Sequence, residues 1–475
     1  MKVATFGRPI LLLVCLTVAE QSLAIQNIQQ SCHRIYNSTI QNYRTLAHRL
    51  PAAKPIHPEF ASMMRIDSEM CSSPNSAQST LGVMNAGLSR HTSKIGVILP
   101  MTGDHQELAQ AILAGVRSAF VDNPEAFPAT VLLRDSRGSE AGCLDALADL
   151  IVNHGVSVIL GGATALESNI LGPWAEKLMI PTFLTSASRP ASPSTYAFRV
   201  FPREERIAAT LAEYALRKGF KKIAILEPQR GGASRLPGLL KEEMTRRHLD
   251  ASSHYTYNPN DYPQIETVIK TLLKINDSSR AAELEEIFRE KKEAAEKAHL
   301  PFNARMLVLP PVTEFDAIAI LDNFRMVRHV VKILKFFGVK QLPLIGHQEW
   351  RARELIDPPE PFLTGSVFAD VVGSYADLPP GLGFRGSDSS AYFGNPQGMA
   401  SIDFQLVGRY AAVMAKAVLS NAKQPRRKLH HEIASLSSPF VGSPPNSSAF
   451  TLNTSDWPVF LFRIDSDNLT PIPLP

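Results

Sequence analysis

Lys94-Ile95-Gly96-Val97-Ile98-Leu99-Pro100 is an apolar run of strand length that stops at a proline, and what repeats after it decides the fold. Leu108, Ile112, Val116, Ala119 and Phe120 follow at helical spacing, the apolar stripe of an amphipathic helix. Thr130-Val131-Leu132-Leu133 is strand-like again. Leu144, Leu147 and Ile151 then return to helical spacing, with Asn153-His154-Gly155 as a helix stop. A strand at Val156 to Leu160, a helix around Ser168 to Leu178 and a strand at Thr182-Phe183-Leu184 continue the series. These strands barely alternate polar with apolar residues, so both faces should be covered, as in a parallel sheet. Strands and helices in alternation imply right-handed βαβ units.

A second series starts near Glu204. Ile207, Leu211, Tyr214 and Ala215 form a helical stripe closed by Lys218-Gly219, and Lys222-Ile223-Ala224-Ile225-Leu226 is a strand. Helices are expected at Leu236–Arg247, Gln264–Ile275 and Met326 to Phe337, and strands at Phe315 to Leu321 and Pro343-Leu344-Ile345. Two such series without a linker predict an α/β chain of two Rossmann-like lobes with parallel sheets. A charged helical insertion at 279–298 interrupts the second series, with Ser278-Ser279 as a candidate cap. Leu284, Ile287 and Phe288 give it a narrow apolar edge. Such a helix is either a solvated element lying across its lobe or a partner-binding protrusion.

The 475 residues are enough for large cores, and an apolar share of 44% excludes global disorder. A formal charge of +4 is too thin to argue for nucleic acid or an anionic membrane. The N-terminus reads as an export signal over 1–24. Lys2 and Arg8 precede the apolar run Pro9 to Val18, and Ser22-Leu23-Ala24 suits cleavage after Ala24. Leu12-Leu13-Val14-Cys15 has Val14 where an acylation box carries a small residue, so a lipid anchor at Cys15 is not expected. No stretch reaches the about 18 apolar residues of a membrane span. Export permits a disulfide between Cys32 and Cys71 and leaves Cys143, inside a predicted helix, as a buried apolar residue. Residues 25–93 read as a polar N-terminal extension with little periodicity and at most a short helix.

No Gly-x-Ser-x-Gly elbow, P-loop or metal-ligand spacing is present. His431-Glu432-Ile433-Ala434-Ser435 lacks the second histidine of a zincin helix. Gly381-Leu382-Gly383-Phe384-Arg385-Gly386 follows Pro379-Pro380 instead of a strand. The chain is therefore not expected to be an enzyme or to carry a cofactor or metal. What remains are polar loops at the C-terminal ends of the strands, where open parallel sheets bind ligands. Thr102, Thr164, Ser186 and Ser188 would hold a carboxylate, and Asp322 or Glu349 an ammonium. Ser, Thr and Asp are also the preferred helix caps, so each residue has a structural alternative.

Lys94 to Gly103, Arg134-Asp135-Ser136, Val158-Ile159-Leu160-Gly161-Gly162, Ile180-Pro181-Thr182-Phe183-Leu184-Thr185-Ser186-Ala187-Ser188 and Ala197-Phe198-Arg199-Val200 together resemble type I periplasmic solute-binding proteins, in particular the leucine/isoleucine/valine group. The resemblance covers about residues 94–470. It implies the type I periplasmic-binding fold, two lobes joined by three crossovers that close on a small ligand. Those crossovers would fall near Val200-Phe201-Pro202, Phe368-Ala369-Asp370 and before Trp457. Lobe 1 would then be 94–201 and 369–440, and lobe 2 would be 202–368 and 441–475. By position, Ser186 and Ser188 match the loop that holds the ligand carboxylate, Thr164 approximates the hydroxyl before it, and Glu349 lies near the ammonium-binding acid. Gly231-Gly232 stands where the family has an aromatic residue before a glycine.

The charged helix before Phe315 and Gly365-Ser366-Val367-Phe368-Ala369-Asp370 look more like the branch of penicillin-binding protein activators. Two functions are therefore expected. One is a periplasmic protein binding a small amino-acid-like solute between hinged lobes for an ABC permease. The other is a regulator of peptidoglycan synthesis that contacts a cell-wall synthase.

Overall fold

The computed structural model describes residues 8–51, 56–89, 92–121, 130–188, 191–229, 234–303, 309–351, 355, 357–372, 399–420, 429–439, 448–451, 454–466 and 468–473. The chain begins with helices α1 (Arg8–Ile35), α2 (Gln41–Ala47), α3 (Pro58–Met64) and α4 (Pro74–Ser89). The first series follows as β1 (Lys94–Leu99), α5 (Gln106–Val121), β2 (Thr130–Asp135), α6 (Glu140–Ala148), β3 (Val158–Gly161), α7 (Ala165–Leu178), β4 (Thr182–Leu184) and β5 (Ala197–Arg199). The second is α8 (Glu204–Arg217), β6 (Ile223–Pro228), α9 (Leu236–Arg246), β7 (His254–Tyr257), α10 (Tyr262–Leu272), α11 (Ala281–Lys297), β8 (Ala317–Ile320), α12 (Phe324–Phe336), β9 (Leu344–Gly346) and β10 (Val367–Asp370). Then come α13 (Met399–Ser420), α14 (Leu429–Ala434), β11 (Phe450–Thr451), β12 (Thr454–Ser455), β13 (Phe460–Ile464) and β14 (Leu469–Ile472). Among the described residues no helix is long and apolar enough to cross a membrane.

Two seven-stranded sheets result, in the orders β11-β12-β5-β4-β3-β1-β2 and β14-β13-β10-β9-β8-β6-β7. In the first, Ile95 of β1 lies opposite Val131 of β2 and Val158 of β3, all parallel. Ile95 to Leu99 are all buried, which is why the run could be apolar without alternation. In the second, β6 pairs parallel with β7 and β8, and at the far end β13 runs antiparallel to both of its neighbours, β10 and β14. Gly115 and Gly408 let α5 and α13 meet backbone to backbone. A Cβ at Gly115 would stand 1.8 Å from the Gln405 carbonyl oxygen, and one at Gly408 2.1 Å from that of Ile112.

The chain divides into two compact units, Met1–Phe201 with Asp403–Pro439 and Pro444–Asp456, and Pro202–Ile402 with Phe440–Ser443 and Trp457–Pro475. The chain passes between these units at Phe201/Pro202 and at Asp456/Trp457, and not at Phe368-Ala369-Asp370. Val367–Asp370 is β10, paired with β9 and β13 inside the second sheet, so residues 369 and 370 belong there. Conversely, β11 and β12, expected in the second lobe, complete the first sheet, where Thr454 pairs with Arg199. Strands of two residues carry too little pattern for sequence to assign them to a sheet.

The largest departure is the N-terminal stretch. Instead of one short helix it forms four, and Cys32, Tyr36, Ile40, Tyr43, Leu46, Phe60, Met63 and Met84 are buried in one core with residues of α6, α7 and β3. The Tyr43 hydroxyl donates to the Leu178 carbonyl at 2.9 Å. Cys32 and Cys71 are joined by a disulfide, and Cys143 is free and buried. At α11 the preceding turn is capped by Asp277, which accepts from the Ser279 amide at 2.9 Å, and not by Ser278 or Ser279.

Candidate functional site

At the C-terminal edge of the first sheet the loops after β1 and β2 are tied together. Asp135 accepts from the Thr102 hydroxyl at 2.7 Å, from the Met101 amide at 2.9 Å and from the Arg137 amide at 2.8 Å. Burial works to raise the Asp135 pKa, but these donors outweigh it and hold the carboxyl below its usual range. Next to it, the Ser136 hydroxyl donates to Glu167. Glu167 in turn accepts from the Thr164 amide at 3.1 Å, and its own amide donates to the Thr164 hydroxyl at 3.2 Å. That is a capping box at the start of α7. Glu167 is fully buried, and burial pushes its carboxyl above the ordinary glutamate range despite those hydrogen bonds. The Thr102 hydroxyl thus donates to a carboxylate of its own unit, and the Thr164 hydroxyl accepts from the Glu167 amide.

The loop after β4 differs. Ser186 is buried, and its hydroxyl accepts from the Ser188 amide at 3.0 Å. Ser188 is half-buried. Arg199, at the end of β5 and only 6% exposed, donates from Nη2 to the Ala187 carbonyl, and its guanidinium lies 5.4 Å from the centre of the Phe201 ring. The structure therefore brings Ser186 and Ser188 together and adds a buried cation that the sequence reading left out of the site. The available signal was a charged residue ending an apolar strand, Ala197-Phe198-Arg199.

At the C-terminal edge of the second sheet, Asp322 is fully buried. It accepts from the Tyr257 hydroxyl at 2.8 Å, from the Asn323 amide at 2.7 Å and from the Asn323 side chain at 2.9 Å, while Asn323 caps α12. Its acceptor capacity serves to hold β7, β8 and α12 together. Glu349 lies half-buried on a short 3₁₀ turn, Gln348–Trp350. Beside it His347 is 6% exposed, and neither ring nitrogen has a hydrogen-bond partner among the described residues. Trp350 anchors the turn by donating to the Ile320 carbonyl at 3.0 Å. Arg351 and Asp370 form a buried ion pair, with Nε to Oδ2 at 2.6 Å. Gly231-Gly232 and the Gly-rich run 381–386 both lie outside the described residues.

Away from both edges, a groove of about 370 Å³ beside α9 and β7 is lined by Glu227, Arg235, Glu242 and His254, and contains none of the residues selected from sequence. Among the described residues no three His, Cys, Asp or Glu side chains are placed to share a metal ion.

Residues 92–259 match the family described as periplasmic binding protein. The chain is 28% identical over 105 residues to glutamate receptor 1.2 of Arabidopsis thaliana, a match covering 22% of this chain and only 12% of the receptor. Among solved structures it resembles a putative branched-chain amino acid ABC transporter protein from Rhodospirillum rubrum, at TM-score 0.57 and 15% identity, covering 80% of this chain and 99% of that one. It also resembles a branched-chain amino acid ABC transporter periplasmic ligand-binding protein from Burkholderia xenovorans, at TM-score 0.52 and 12% identity, covering 80% and 94%. A third is an ABC transporter solute-binding protein from R. palustris in complex with 4-hydroxybenzoate, at TM-score 0.50 and 14% identity, covering 80% and 95%. Identities this low speak for the fold alone. The chain thus has the type I periplasmic-binding fold of the branched-chain amino acid solute-binding proteins, and its residues 92–259 match the periplasmic binding protein family.

Proposed function

We propose that this chain is a non-catalytic solute-binding protein of the periplasm. It takes a small amino-acid-like solute whose carboxylate is held at residues 185–188, for delivery to an ABC-type permease. The observation that carries this reading is the buried guanidinium of Arg199 at the Ser186-Ala187-Ser188 loop. A planar guanidinium with hydroxyls beside it matches a carboxylate in charge and shape. At the edge of the second unit, His347 adds an imidazole that can donate or accept beside the half-buried Glu349. Asp322 is not part of this reading, because its oxygens already accept from Tyr257 and Asn323.

A thermal-shift screen of the purified chain against leucine, isoleucine, valine, their amides and 4-hydroxybenzoate tests this. A bound compound at about 100 times its dissociation constant adds about 2.7 kcal/mol and raises the melting temperature. Carboxylates should act and the amides should not. Ser188→Ala should weaken the effect while leaving the unliganded melting temperature unchanged; an unaltered affinity removes Ser188 from the site. No shift with any compound would turn the balance to the second reading, a regulator of the penicillin-binding protein activator type. That reading is supported by α11, none of whose residues is buried. Capture of a cell-wall synthase by the immobilised chain is its own test.

A further inference from the structure

Helix α12 carries charge of one sign only. From Phe324 to Lys340 the chain has Arg325, Arg328, Lys332, Lys335 and Lys340 and no Asp or Glu. The formal charge of +4 for the whole chain hides this local excess. At about 100° per residue, Arg325, His329, Lys332 and Phe336 fall within about 60° of the helix circumference, with Arg328 and Lys335 flanking them on one side. Met326, Val327, Val330, Val331 and Leu334 point the other way and are buried in the core of the second unit. Arg325, Lys332 and Lys335 are exposed. Phe336 is 78% exposed, the most of any large apolar residue described. Tyr262, which opens α10, is 59% exposed and meets the His329 ring edge-on at 4.7 Å between ring centres, so a second aromatic borders the same face.

Acids on the adjoining segments are already paired. Glu360 meets Lys335 at 3.0 Å, and Glu266 of α10 meets Lys270 at 2.7 Å. Arg325 and Lys332 have no ion-pair partner among the described residues, and they stand beside Phe336 at the centre of the face.

We propose that this face of α12 seats on an anionic lipid surface. Arg325 and Lys332 meet the phosphate headgroups, and Phe336 enters the boundary between headgroups and acyl chains. Charge complementarity fixes the sign of the partner, because a face with cations and no acid attracts anions only. The exposed aromatics separate a lipid from a soluble anion. A protruding ring finds a seat in a fluid boundary without a preformed pocket, and a helix with a basic, aromatic outer face lies in that boundary. Each cation near such a surface is worth about fivefold in binding, so the contact is reversible and weakened by salt. The inference is independent of any solute at the sheet edges.

Co-sedimentation of the full chain with vesicles tests it. One set holds phosphatidylglycerol and phosphatidylcholine in equal parts, the other phosphatidylcholine alone. The native chain should bind the anionic set more strongly, and salt at about 0.5 M should bring binding down to the level of the neutral set. Arg325→Ala with Lys332→Ala should lower partition to the anionic vesicles by about thirtyfold. Phe336→Ser should lower it by about tenfold. All three side chains are exposed, so the melting temperature should stay that of the native chain. Equal binding to both vesicle sets overturns the proposal, and so does anionic binding that the double variant leaves unaltered. If the double variant weakens binding and Phe336→Ser does not, the lipid occupant is overturned and the face belongs to a soluble polyanion.

Discussion

The two sheet edges are built on the same topology and use their polar residues differently. In the first unit, Asp135 and Glu167 take up Thr102 and Thr164, which leaves the Ser186–Ser188 loop and Arg199 as the cationic, hydroxyl-rich part. In the second, Asp322 and the Arg351–Asp370 pair are closed within the unit, and His347 is the buried group whose nitrogens have no partner among the described residues. Residue type and position after a strand do not separate a structural acid from a binding one. What separates them is whether neighbouring donors already saturate it, and this depends on the facing loop.

The comparison can be broken most forcefully at Asp370. If the second edge is structural there, Asp370→Asn leaves the Arg351 guanidinium buried opposite a neutral amide. It should cost about 3–5 kcal/mol, read as a drop in the urea midpoint. A change under about 1 kcal/mol would mean that the pair is solvated and belongs with the first edge. Tyr257→Phe should cost about 1.5–3 kcal/mol in the same measurement, because the hydroxyl donates to a buried carboxylate.

The smallest effect sharpens the first edge. Burial raises the Glu167 carboxyl, so the folded state holds its proton more tightly than the unfolded chain does. Its stabilising contribution is complete below the usual glutamate value and is lost as pH rises through the raised folded value. Melting temperature followed from acid to neutral pH should therefore fall less steeply in Glu167→Gln than in the native chain. Parallel profiles would show that Glu167 titrates normally.

Much of the fold was legible. The β1 run, the helical stripe of Leu108 to Phe120 and the charged helix at 279–298 correspond to β1, α5 and α11, because core strands and amphipathic helices write their burial into spacing. The N-terminal stretch carries a weaker signal. Cys32, Tyr36, Ile40, Tyr43 and Leu46 recur at three and four residues, and all are buried, but the abundant Gln, Ser and Asn on the other face masked the stripe. The ends of the sheets were not legible, since β11 and β12 have two residues each and their assignment rests on pairing with β5.

The sequence by itself determined the alternation of buried strands and amphipathic helices, and with it two parallel sheets and the loops where polar residues would gather. Those are local consequences of hydrophobic spacing along the chain. The tertiary structure decided which gathered groups are already satisfied. It bound Thr102 to Asp135 and Asp322 to Tyr257, and placed Arg199 at the serine loop. The Tyr257–Asp322 bond spans 65 positions and joins β7 to the segment that follows β8, and its strength comes from burial that only the assembled sheet supplies.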